Sequence, residues 1–567
     1  MLSIKKISTI TQRYRHIVRY RQIIGIILKY GFDNILDAMH IDQVIESGRK
    51  FIPFTGPQGE RIKKFNSNQR IRMALEELGP TFIKMGQVLS SRPDLVPVGL
   101  LKELSRLQDD IPGFDYEQVQ AIISAEFGKP CKEIFQHFDT TPFASASIGQ
   151  VHRARLKNGE EVAVKVPRPG IRRIIEADLE IMHYLAALME NNIQEVAFFR
   201  PVRIVEEFAK TLEKELDYTI EAANIERMTL QFRLDSSLHI PEVHMEHTTE
   251  RVLTMEFIDG IKADDIPAIE AAGLDRKRLT RRGADFIMKQ VFEHGFFHAD
   301  PHPGNIFILK GNRICPVDFG MTGFVDRATR ETFVELLVAV AQSKPGRVAR
   351  LLCDICEYER PPDMAGLEKE VSQFISIHLT RSLSEIRTAK MVNQFLEILT
   401  AFHLRLPPDL FLMMKAFISI EGVARKLDPD FNMVAHAVPY VTQAQYKRYH
   451  PSRIAEEVMG VARDSYRLMQ SLPQDTGEIL DQIKQGKLKA TIRIEGLDQV
   501  IKTQDHTNNR ISFAIIIAAL ILGSAIVVHS EVPPLLFGVS VIGIGAFTAA
   551  AVMGVWLLAA IIRSGRL

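Results

Sequence analysis

The chain has 567 residues, of which 46% are hydrophobic and 25% are charged, and its formal net charge at pH 7 is +1. The balanced charge gives no signal for nucleic-acid binding, and the length indicates two lobes with appendages rather than one core. Four cysteines are too few for a disulfide framework and indicate a reducing compartment. Cys353 and Cys356 form a single C-x-x-C pair without a nearby His ligand set, so we expect core thiols rather than a zinc or redox site.

The amino-terminal leader, residues 1–64, is basic up to its first acidic residue, Asp33. Its apolar residues are spaced as one helical stripe, which predicts an amphipathic helix lying on an anionic membrane surface. A solvated basic surface without function and an organellar transit peptide share this composition and stay open as alternatives. The cations are Lys5, Lys6, Arg13, Arg15, Arg19, Arg21 and Lys29, and the stripe consists of Ile4, Ile7, Ile10, Ile17, Val18 and Ile24.

Residues 65–140 are predicted to form a helical extension, and residues 141–260 alternate strand and helix patterns. In this second segment a loop of small residues precedes a strand that contains Lys165, the order in which protein kinases place a phosphate-covering loop and a phosphate-binding lysine. Alanine stands where a kinase has its first two loop glycines, at Ala144 and Ala146, so we expect a stiffer loop. A small-residue turn without a ligand would look the same, and the arrival of Lys165 favours the phosphate loop. The loop positions are Ala144, Ser145, Ala146, Ser147, Gly149 and Val151.

Further along, Glu215, Asp217 and Glu221 fall on one helical pattern, with Asp217 and Glu221 on the same face. One carboxylate of this group is expected to pair with Lys165, as an acidic helix residue does in kinases. An acidic, solvated helix is the alternative, since spacing alone does not settle partners.

The most informative motif lies between residues 298 and 320. Asp300 is followed by Asn305 and then by Asp318-Phe319-Gly320. Phosphoryl transfer requires one Asp that orients the attacking group, and an Asn and a second Asp that hold Mg²⁺ against the phosphates. Apolar runs at 296–297, 306–309 and 314–317 predict short strands that frame this loop. The motif therefore predicts a kinase-type active site that uses ATP and Mg²⁺.

Other protein-kinase features are missing from this segment, which belongs to a helix-rich region at 261–457. Ala299 replaces the Arg of H-R-D, and no A-P-E sequence follows Gly320, so nothing supports a phosphorylated activation loop. We expect the acceptor to be a small molecule, a lipid head group or water rather than a peptide. His302 is expected to brace the loop by hydrogen bonds rather than to bind phosphate.

The carboxyl-terminal part predicts a connector, residues 458–509, and a hairpin of two transmembrane helices, residues 510–563. The connector begins in an amphipathic stretch at 455–472 and contains a short strand pattern at 490–495. Uncharged runs at 511–528 and 535–562 are long enough to span a membrane, and small residues in the second run permit close helix packing. The turn between them has no Lys or Arg, which places the body on the cytoplasmic side. The flanking cations are Lys502, Arg510, Arg563 and Arg566.

Three segments of the chain resemble motifs of the UbiB family of atypical kinase-like proteins. Lys84-Met85-Gly86-Gln87 is similar to its K-x-G-Q motif, Glu215-Leu216-Asp217 to its E-x-D motif, and the alanine-containing loop to its Ala-rich loop. The resemblance implies an α+β, protein-kinase-like two-lobed fold with a helical N-terminal extension and a C-terminal transmembrane helical hairpin. It also implies that Lys84 pairs with Glu215, that Glu221 pairs with Lys165, and that the K-x-G-Q segment covers the place where a protein kinase admits its peptide. Without the resemblance, Lys84 and Gln87 would be interpreted as a solvated helix face.

The leader contains no long Ser-rich stretch, so we expect a bacterial plasma membrane rather than an organelle. The resemblance implies an ATP-binding, ATP-hydrolysing protein that supports ubiquinone biosynthesis at a membrane, and together with the motifs it predicts a membrane-anchored, Mg²⁺-dependent ATPase or atypical kinase. Its partners would be anionic membrane lipids, quinone precursors and enzymes of that pathway, with a homodimer left open. A nucleotide-regulated lipid-binding scaffold without a phosphoryl acceptor is the alternative from another class, and a conventional protein kinase is the third. In the enzyme interpretation Asp300 and Lys84 are catalytic, Asn305 and Asp318 hold the metal, and the nucleotide is bound by the loop positions with Gln87, Lys165, Glu215, Asp217 and Glu221.

Overall fold

The computed structural model describes residues 10–39, most of 65–448, and 497–563. Gaps within these ranges lie at 91–95, 97, 105, 108–112, 146–147, 194–195, 197–199, 359, 380–387, 531–532 and 537–538, and only isolated positions are described between 449 and 496. The predicted strand at 490–495 and most of the predicted amphipathic stretch at 455–472 lie outside the described residues. The chain divides into two units, Met1–Ala455 and Glu456–Leu567, and each is described by itself.

The amino-terminal part of the first unit is helical, as predicted. Two helices of the leader are followed by helices that carry Lys84, and two longer helices come later in the chain and join the same apolar cluster. That cluster also includes Ile148 of the small-residue loop, so the extension packs directly against the loop. The helices are α1 (Ile10–Lys29), α2 (Asp33–Ala38), α3 (Ser67–Leu78), α4 (Pro80–Ser90), α5 (Val98–Leu104), α6 (Tyr116–Phe127), α7 (Cys131–Ile134), α8 (Ile171–Asn192) and α9 (Pro201–Glu215).

The leader helix α1 does not lie free for a membrane surface along its described carboxyl-terminal half. Ile23 and Ile24 are buried within the body, while Val18 of the predicted stripe is exposed. Arg19 donates two hydrogen bonds to the fully buried Asp178 of α8, with Nε to Oδ1 at 2.6 Å. The predicted helix is confirmed, but the burial of Asp178 requires a nearby cation, and this part of the basic stripe supplies it.

A five-stranded antiparallel sheet forms the first lobe, in the order β1-β3-β4-β5 with β2 paired to β3. The strands are β1 (Phe135–Phe138), β2 (Ala144–Ser145), β3 (Gly149–Leu156), β4 (Glu161–Pro167) and β5 (Leu253–Glu256). Strand β1 falls inside the stretch expected to be helical, because the side chains of Phe135 and Phe138 are buried against the sheet and helix α6. The lobe therefore starts before residue 141.

The second lobe is mostly helical around short strand pairs. The predicted strands appear as β7 (Phe296–His298), β8 (Ile306–Leu309) and β9 (Arg313–Pro316), with β6 (Ile261–Lys262) paired to β8 and β10 (Thr322–Phe324) paired to β7. Helix α10 (Tyr218–Phe232) shares one apolar cluster with the helices of this lobe and with Ala163 of β4, so it links the two lobes. The further helices are α11 (Ile266–Ala271), α12 (Arg276–Lys289), α13 (Arg327–Ala341), α14 (Pro345–Ile355), α15 (Met364–Leu379), α16 (Thr388–Ala401), α17 (Pro408–Leu427) and α18 (Met433–Arg448).

The second unit is a pair of helices, α19 (Leu497–His529) and α20 (Val541–Arg563). Among the described residues one segment, Ile511–His529, is long and apolar enough to cross a membrane, and Val541–Val555 is a shorter apolar helix. The second helix begins later than the predicted apolar run, because a short antiparallel pair, β11 (Leu535–Leu536) and β12 (Val539–Ser540), precedes it. A Cβ on Gly543 would lie 2.5 Å from Val528 Cγ2, so the small residue there allows close packing of α20 on α19.

Candidate active site

Lys165 lies at the centre of the candidate site because of the register of the first-lobe sheet. It is directly opposite Val151 of β3 and Leu253 of β5. Its Nζ donates to Glu221 Oε2 of helix α10 at 2.8 Å, and the two side chains are 17% and 5% exposed. Burial lowers the pKa of Lys165, but the carboxylates of Glu221 and Asp318 outweigh it and raise that pKa, so the lysine stays charged. The predicted pairing of Lys165 with Glu221 is confirmed.

The acidic segment is two helices rather than the single helix expected. Helix α9 ends at Glu215 and helix α10 begins at Tyr218. Asp217 is the N-cap residue between them, and its Oδ1 accepts hydrogen bonds from the backbone N–H of Thr219 at 3.0 Å and from the Thr219 hydroxyl. Capping explains the break, since an Asp at this position satisfies amide groups that the helix leaves free. Asp217 is therefore tied to the helix start.

The break separates Glu215 from Glu221, and Glu215 pairs with the other predicted cation. Lys84 Nζ of helix α4 lies 2.8 Å from Glu215 Oε1, and the side chains are 15% and 5% exposed. The positive charge of Lys84 is also among the causes that lower the pKa of Asp318. The K-x-G-Q segment thus faces the same cleft as Asp318. Gln87, one turn further along α4, donates to the backbone oxygen of Leu107 at 3.4 Å, which helps to fix that helix in the extension.

The small-residue loop is part of a hairpin beside Lys165. Ala144 pairs with Val151 and Ser145 with Gln150, while Ala146 and Ser147 lie outside the described residues. A Cβ on Gly149 would lie 2.7 Å from the Tyr218 hydroxyl and 2.7 Å from the Val166 backbone oxygen, so only glycine fits there.

Tyr218 closes the floor under this loop. Its ring centroid lies 5.3 Å from Lys165 Nζ, and its hydroxyl is buried without a hydrogen-bond partner among the described residues. A buried hydroxyl is costly when it has no partner, so a polar group that enters the cleft would find a ready donor here. This is one observation that fits a nucleotide.

The second-lobe hairpin brings Asn305 and Asp318 together. Ile306 is opposite Pro316, and the Val317 backbone N–H donates to the Asn305 backbone oxygen at 3.0 Å, one residue before Asp318. Asp318 Oδ1 accepts the backbone N–H of Gly320 at 3.0 Å. Burial raises the pKa of Asp318, but Lys165 and this hydrogen bond lower it well below its usual range. The structure therefore keeps Asp318 ionised.

One carboxylate and one amide oxygen suit Mg²⁺, which takes few protein ligands and completes its shell with phosphates and water. Among the described residues there is no group of three or more His, Cys, Asp or Glu side chains that could hold a metal ion. The four cysteines are free, and Cys356 is a buried core thiol as expected, whereas Cys353 is only half-buried. Cys131 and Cys315 are also buried.

The loop that carries Asp300 is held by two histidines. The Asp300 backbone N–H donates to Nδ1 of the buried His298 at 3.1 Å, and the Gly304 backbone N–H donates to Nδ1 of His302 at 3.1 Å. His302 caps the short 3₁₀ turn Pro303–Asn305, which agrees with the predicted bracing role. After Gly320 the chain enters β10 and then helix α13 at Arg327, so these residues contain no activation loop.

Sequence reasoning missed one residue at the site, Lys415. Its Nζ lies 3.3 Å from Asp300 Oδ1, although it comes from helix α17 far along the chain. It is the only charged residue between Asp409 and Glu421, in an otherwise largely apolar stretch. A single charge in such a stretch could have drawn attention to Lys415, because charged side chains are rarely placed in a buried helix without a partner, but it does not identify Asp300 as that partner.

Comparisons with known proteins place the chain among kinase-like proteins. Family models match at residues 106–352 (ABC1 atypical kinase-like domain), 371–432 (UbiB helical domain) and 495–563 (ABC1/UbiB kinase-like C-terminal domain). A curated relative from Xanthomonas campestris, named "Probable protein kinase UbiB", is 34% identical over 521 residues, which cover 90% of this chain and 93% of the relative. The chain belongs to the ABC1/UbiB family of atypical kinase-like proteins.

The chain is also similar to three further proteins. The Xylella fastidiosa protein of the same name is 33% identical over 88% of this chain and 91% of its own. A Clostridium pasteurianum protein, named as an uncharacterized protein in the hydrogenase 1 5′ region, is 30% identical over 97% of this chain and 100% of its own. A solved Mycobacterium tuberculosis structure, the complex of Rv3197 with erythromycin, matches with a TM-score of 0.45 and 23% identity over 67% of this chain and 96% of that one. The ABC1/UbiB assignment rests on the family models and the curated relatives.

Removing one member of the buried Lys165 pair should destabilise the protein. Lys165→Met leaves Glu221 buried without its cation, and we expect a loss of about 3–5 kcal/mol in the free energy of unfolding. Lys165→Met combined with Glu221→Leu should recover most of that loss. Arg327→Met, which breaks an exposed pair with Glu331, is the control and should cost less than about 1 kcal/mol. Urea unfolding in detergent measures the stability of the wild-type full-length protein and of the three variants. Equal losses for Lys165→Met and Arg327→Met would contradict the prediction.

The buried His298 should make stability fall on mild acidification. Burial lowers the pKa of His298 to about 4, whereas an unfolded chain binds this proton near about pH 6.5. The unfolded state therefore binds more protons between these values, and the free energy of unfolding should drop by about 2 kcal/mol from pH 6.5 to 5 through this group. His298→Asn, which keeps an acceptor for the Asp300 N–H, should remove that share of the slope. Burial also lowers the pKa values of His152 and His294, so their contributions to the slope of stability against pH remain in this variant.

Urea unfolding at several pH values measures the slope of stability against pH. His137→Asn, which changes a side chain 70% exposed at the surface, is the matched control. An unchanged slope in His298→Asn would show that His298 takes up its proton in the native state as readily as in the unfolded chain.

Proposed function

We propose that the protein is a membrane-anchored, Mg²⁺-dependent ATPase or atypical kinase that supports ubiquinone biosynthesis. In this proposal it acts on or for quinone-precursor lipids rather than on peptides. The observation that carries the proposal is that four charged side chains converge on one cleft, namely Lys84, Lys165, Asp300 and Asp318. Lys84 and Lys165 are each held by a buried glutamate. The names of the curated UbiB relatives support the biosynthetic role.

The chemistry follows from the roles of these side chains. Lys165, oriented by Glu221, donates to nucleotide phosphate oxygens, and the hairpin of Gly149 covers them. Asp300 orients the attacking hydroxyl of water or of a lipid head group and accepts its proton. Asn305 and Asp318 would hold Mg²⁺, which neutralises phosphate charge when bound. These groups position and stabilise charge, which is nearly all that phosphoryl transfer asks of a protein.

Helix α4 supports a small acceptor over a peptide. Lys84 and Glu215 are nearly buried, and α4 is held in the extension by the packing of Phe82 and Ile83. A peptide would need this helix to leave, at the cost of exposing both a buried ion pair and apolar surface. Water or a lipid head group needs far less room.

The proposed location is a bacterial inner membrane, with α19 and α20 as a two-helix anchor and the kinase-like body on the cytoplasmic side. The apolar segment Ile511–His529 and the cations Arg510 and Arg563 at the outer ends of the two apolar stretches support this arrangement.

The proposal is tested by Mg²⁺-dependent ATP hydrolysis with the purified full-length protein in anionic liposomes. Phosphate release should rise when quinone-precursor lipids are added, and Asp318→Asn should reduce it by roughly a hundredfold or more, since it weakens the metal position. Asp326→Asn, which changes an exposed cap of helix α13, is the matched control and should keep the activity. Release that equals the Asp318→Asn background would overturn the enzyme proposal and favour a nucleotide-regulated lipid-binding scaffold.

A further inference from the structure

The loop around Asp300 lacks a cation of its own. Between Asp300 and Asn305 the chain has no Lys or Arg. This segment has one histidine, His302, whose Nδ1 accepts a hydrogen bond from the Gly304 N–H. During phosphoryl transfer, charge is spread over the three equatorial oxygens of the transferred group, and a fixed cation beside these oxygens lowers the barrier. Another element has to supply that cation.

Helix α17 supplies one at this position. Its flanking residues Met414 and Ala416 are buried in the second lobe, which fixes the helix, while Lys415 is 26% exposed and reaches Asp300 with its Nζ 3.3 Å from Oδ1. The charge of Lys415 is also among those that lower the pKa of the buried His298. The ammonium group therefore lies on the attacking-group side of the cleft.

The other two lysines of the cleft, Lys84 and Lys165, make shorter contacts with more deeply buried carboxylates. Lys84 and Lys165 each lie 2.8 Å from a carboxylate that is 5% exposed. The contact of Lys415 is longer, and Asp300 is 29% exposed, so water screens it more and its hydrogen-bonding capacity is less used. An ammonium group has three donors, and one pair leaves two for phosphate oxygens.

We propose that Lys415 binds the terminal phosphate of the nucleotide and bridges it to Asp300. This inference rests on the proposed function. In the reaction the attacking oxygen forms a bond to the terminal phosphorus as the bond to the bridging oxygen of ADP breaks. The proton of the attacking hydroxyl goes to Asp300, while Lys415 keeps its own protons throughout. The segment matched by the UbiB helical domain would thus complete the active site of the kinase-like domain.

The test compares binding of two nucleotides that differ in the terminal phosphate. Calorimetry of the full-length protein in detergent measures Mg²⁺-ADP and a Mg²⁺-bound, non-hydrolysable ATP analogue. Lys415→Met should reduce the preference for the analogue by roughly tenfold or more, since a charge-assisted contact is lost, and should leave ADP affinity unchanged. Lys415→Arg should retain more of the preference. Lys426→Met, an exposed position on the same helix, should behave as wild type.

A double-mutant cycle with Asp300→Asn adds a second readout. Asp300→Asn removes the carboxylate that shares Lys415, so the analogue should bind at least as tightly as in wild type, and that gain should vanish when Lys415→Met is added. Should Lys415→Met melt below the assay temperature, Lys415→Gln carries the same comparison.

Two results overturn the inference while leaving the proposed function intact. In the first, Lys415→Met prefers the ATP analogue over ADP as strongly as the wild type does. In the second, Lys415→Met hydrolyses ATP faster than the wild type, which would mean that the contact of Lys415 restrains Asp300. A wild-type chain that binds neither nucleotide overturns the proposed function and this inference with it.

Discussion

The candidate site depends on the buried ion pair between Lys165 and Glu221. Lys165 belongs to the first-lobe sheet and Glu221 to the helix that shares the apolar cluster of the second lobe, so the pair fixes one lobe against the other. Neither charge tolerates burial alone, and their 2.8 Å contact makes the two lobes mutually dependent. The position of Lys165 relative to Asp318 then follows, and with it the ionised state of that carboxylate.

Three lysines and four carboxylates line the cleft in the described part of the chain. Lys84 pairs with Glu215, Lys165 with Glu221, and Lys415 with Asp300. Asp318 is the fourth carboxylate, and the positive charges of Lys165 and Lys84 help to hold its pKa well below its usual range. In the proposed function, a metal ion bound with nucleotide phosphate would balance the remaining carboxylate. The extension and the helical segment of the second lobe each contribute a lysine, so the kinase-like domain alone holds only part of the site.

The sequence predicted the local motifs well, but it predicted fewer of the contacts that these motifs make with distant parts of the chain. Strands around Asp300 and Asp318 follow from short apolar runs between turn residues, and Lys165 follows from its strand. The break at Asp217 was missed because the i, i+4 spacing of Asp217 and Glu221 fits one continuous helix, although Asp217 followed two residues later by Thr219 is a capping pattern. Strand β1 and the buried role of Arg19 depend on distant partners in the sheet and in α8, which periodicity does not report. Lys415 was missed for the same reason, since its contact joins two segments that no local pattern connects.

In the proposed function, the paired carboxylates and lysines form one site for a metal-bound nucleotide. The most direct measurement is the Mg²⁺ dependence of ATP-analogue binding to the full-length wild-type protein and Asp318→Asn, by calorimetry in detergent. We expect Mg²⁺ to raise the wild-type affinity by roughly tenfold or more, and Asp318→Asn to lose that gain while it still folds. Binding that is equally tight with and without Mg²⁺, in both proteins, would contradict the account.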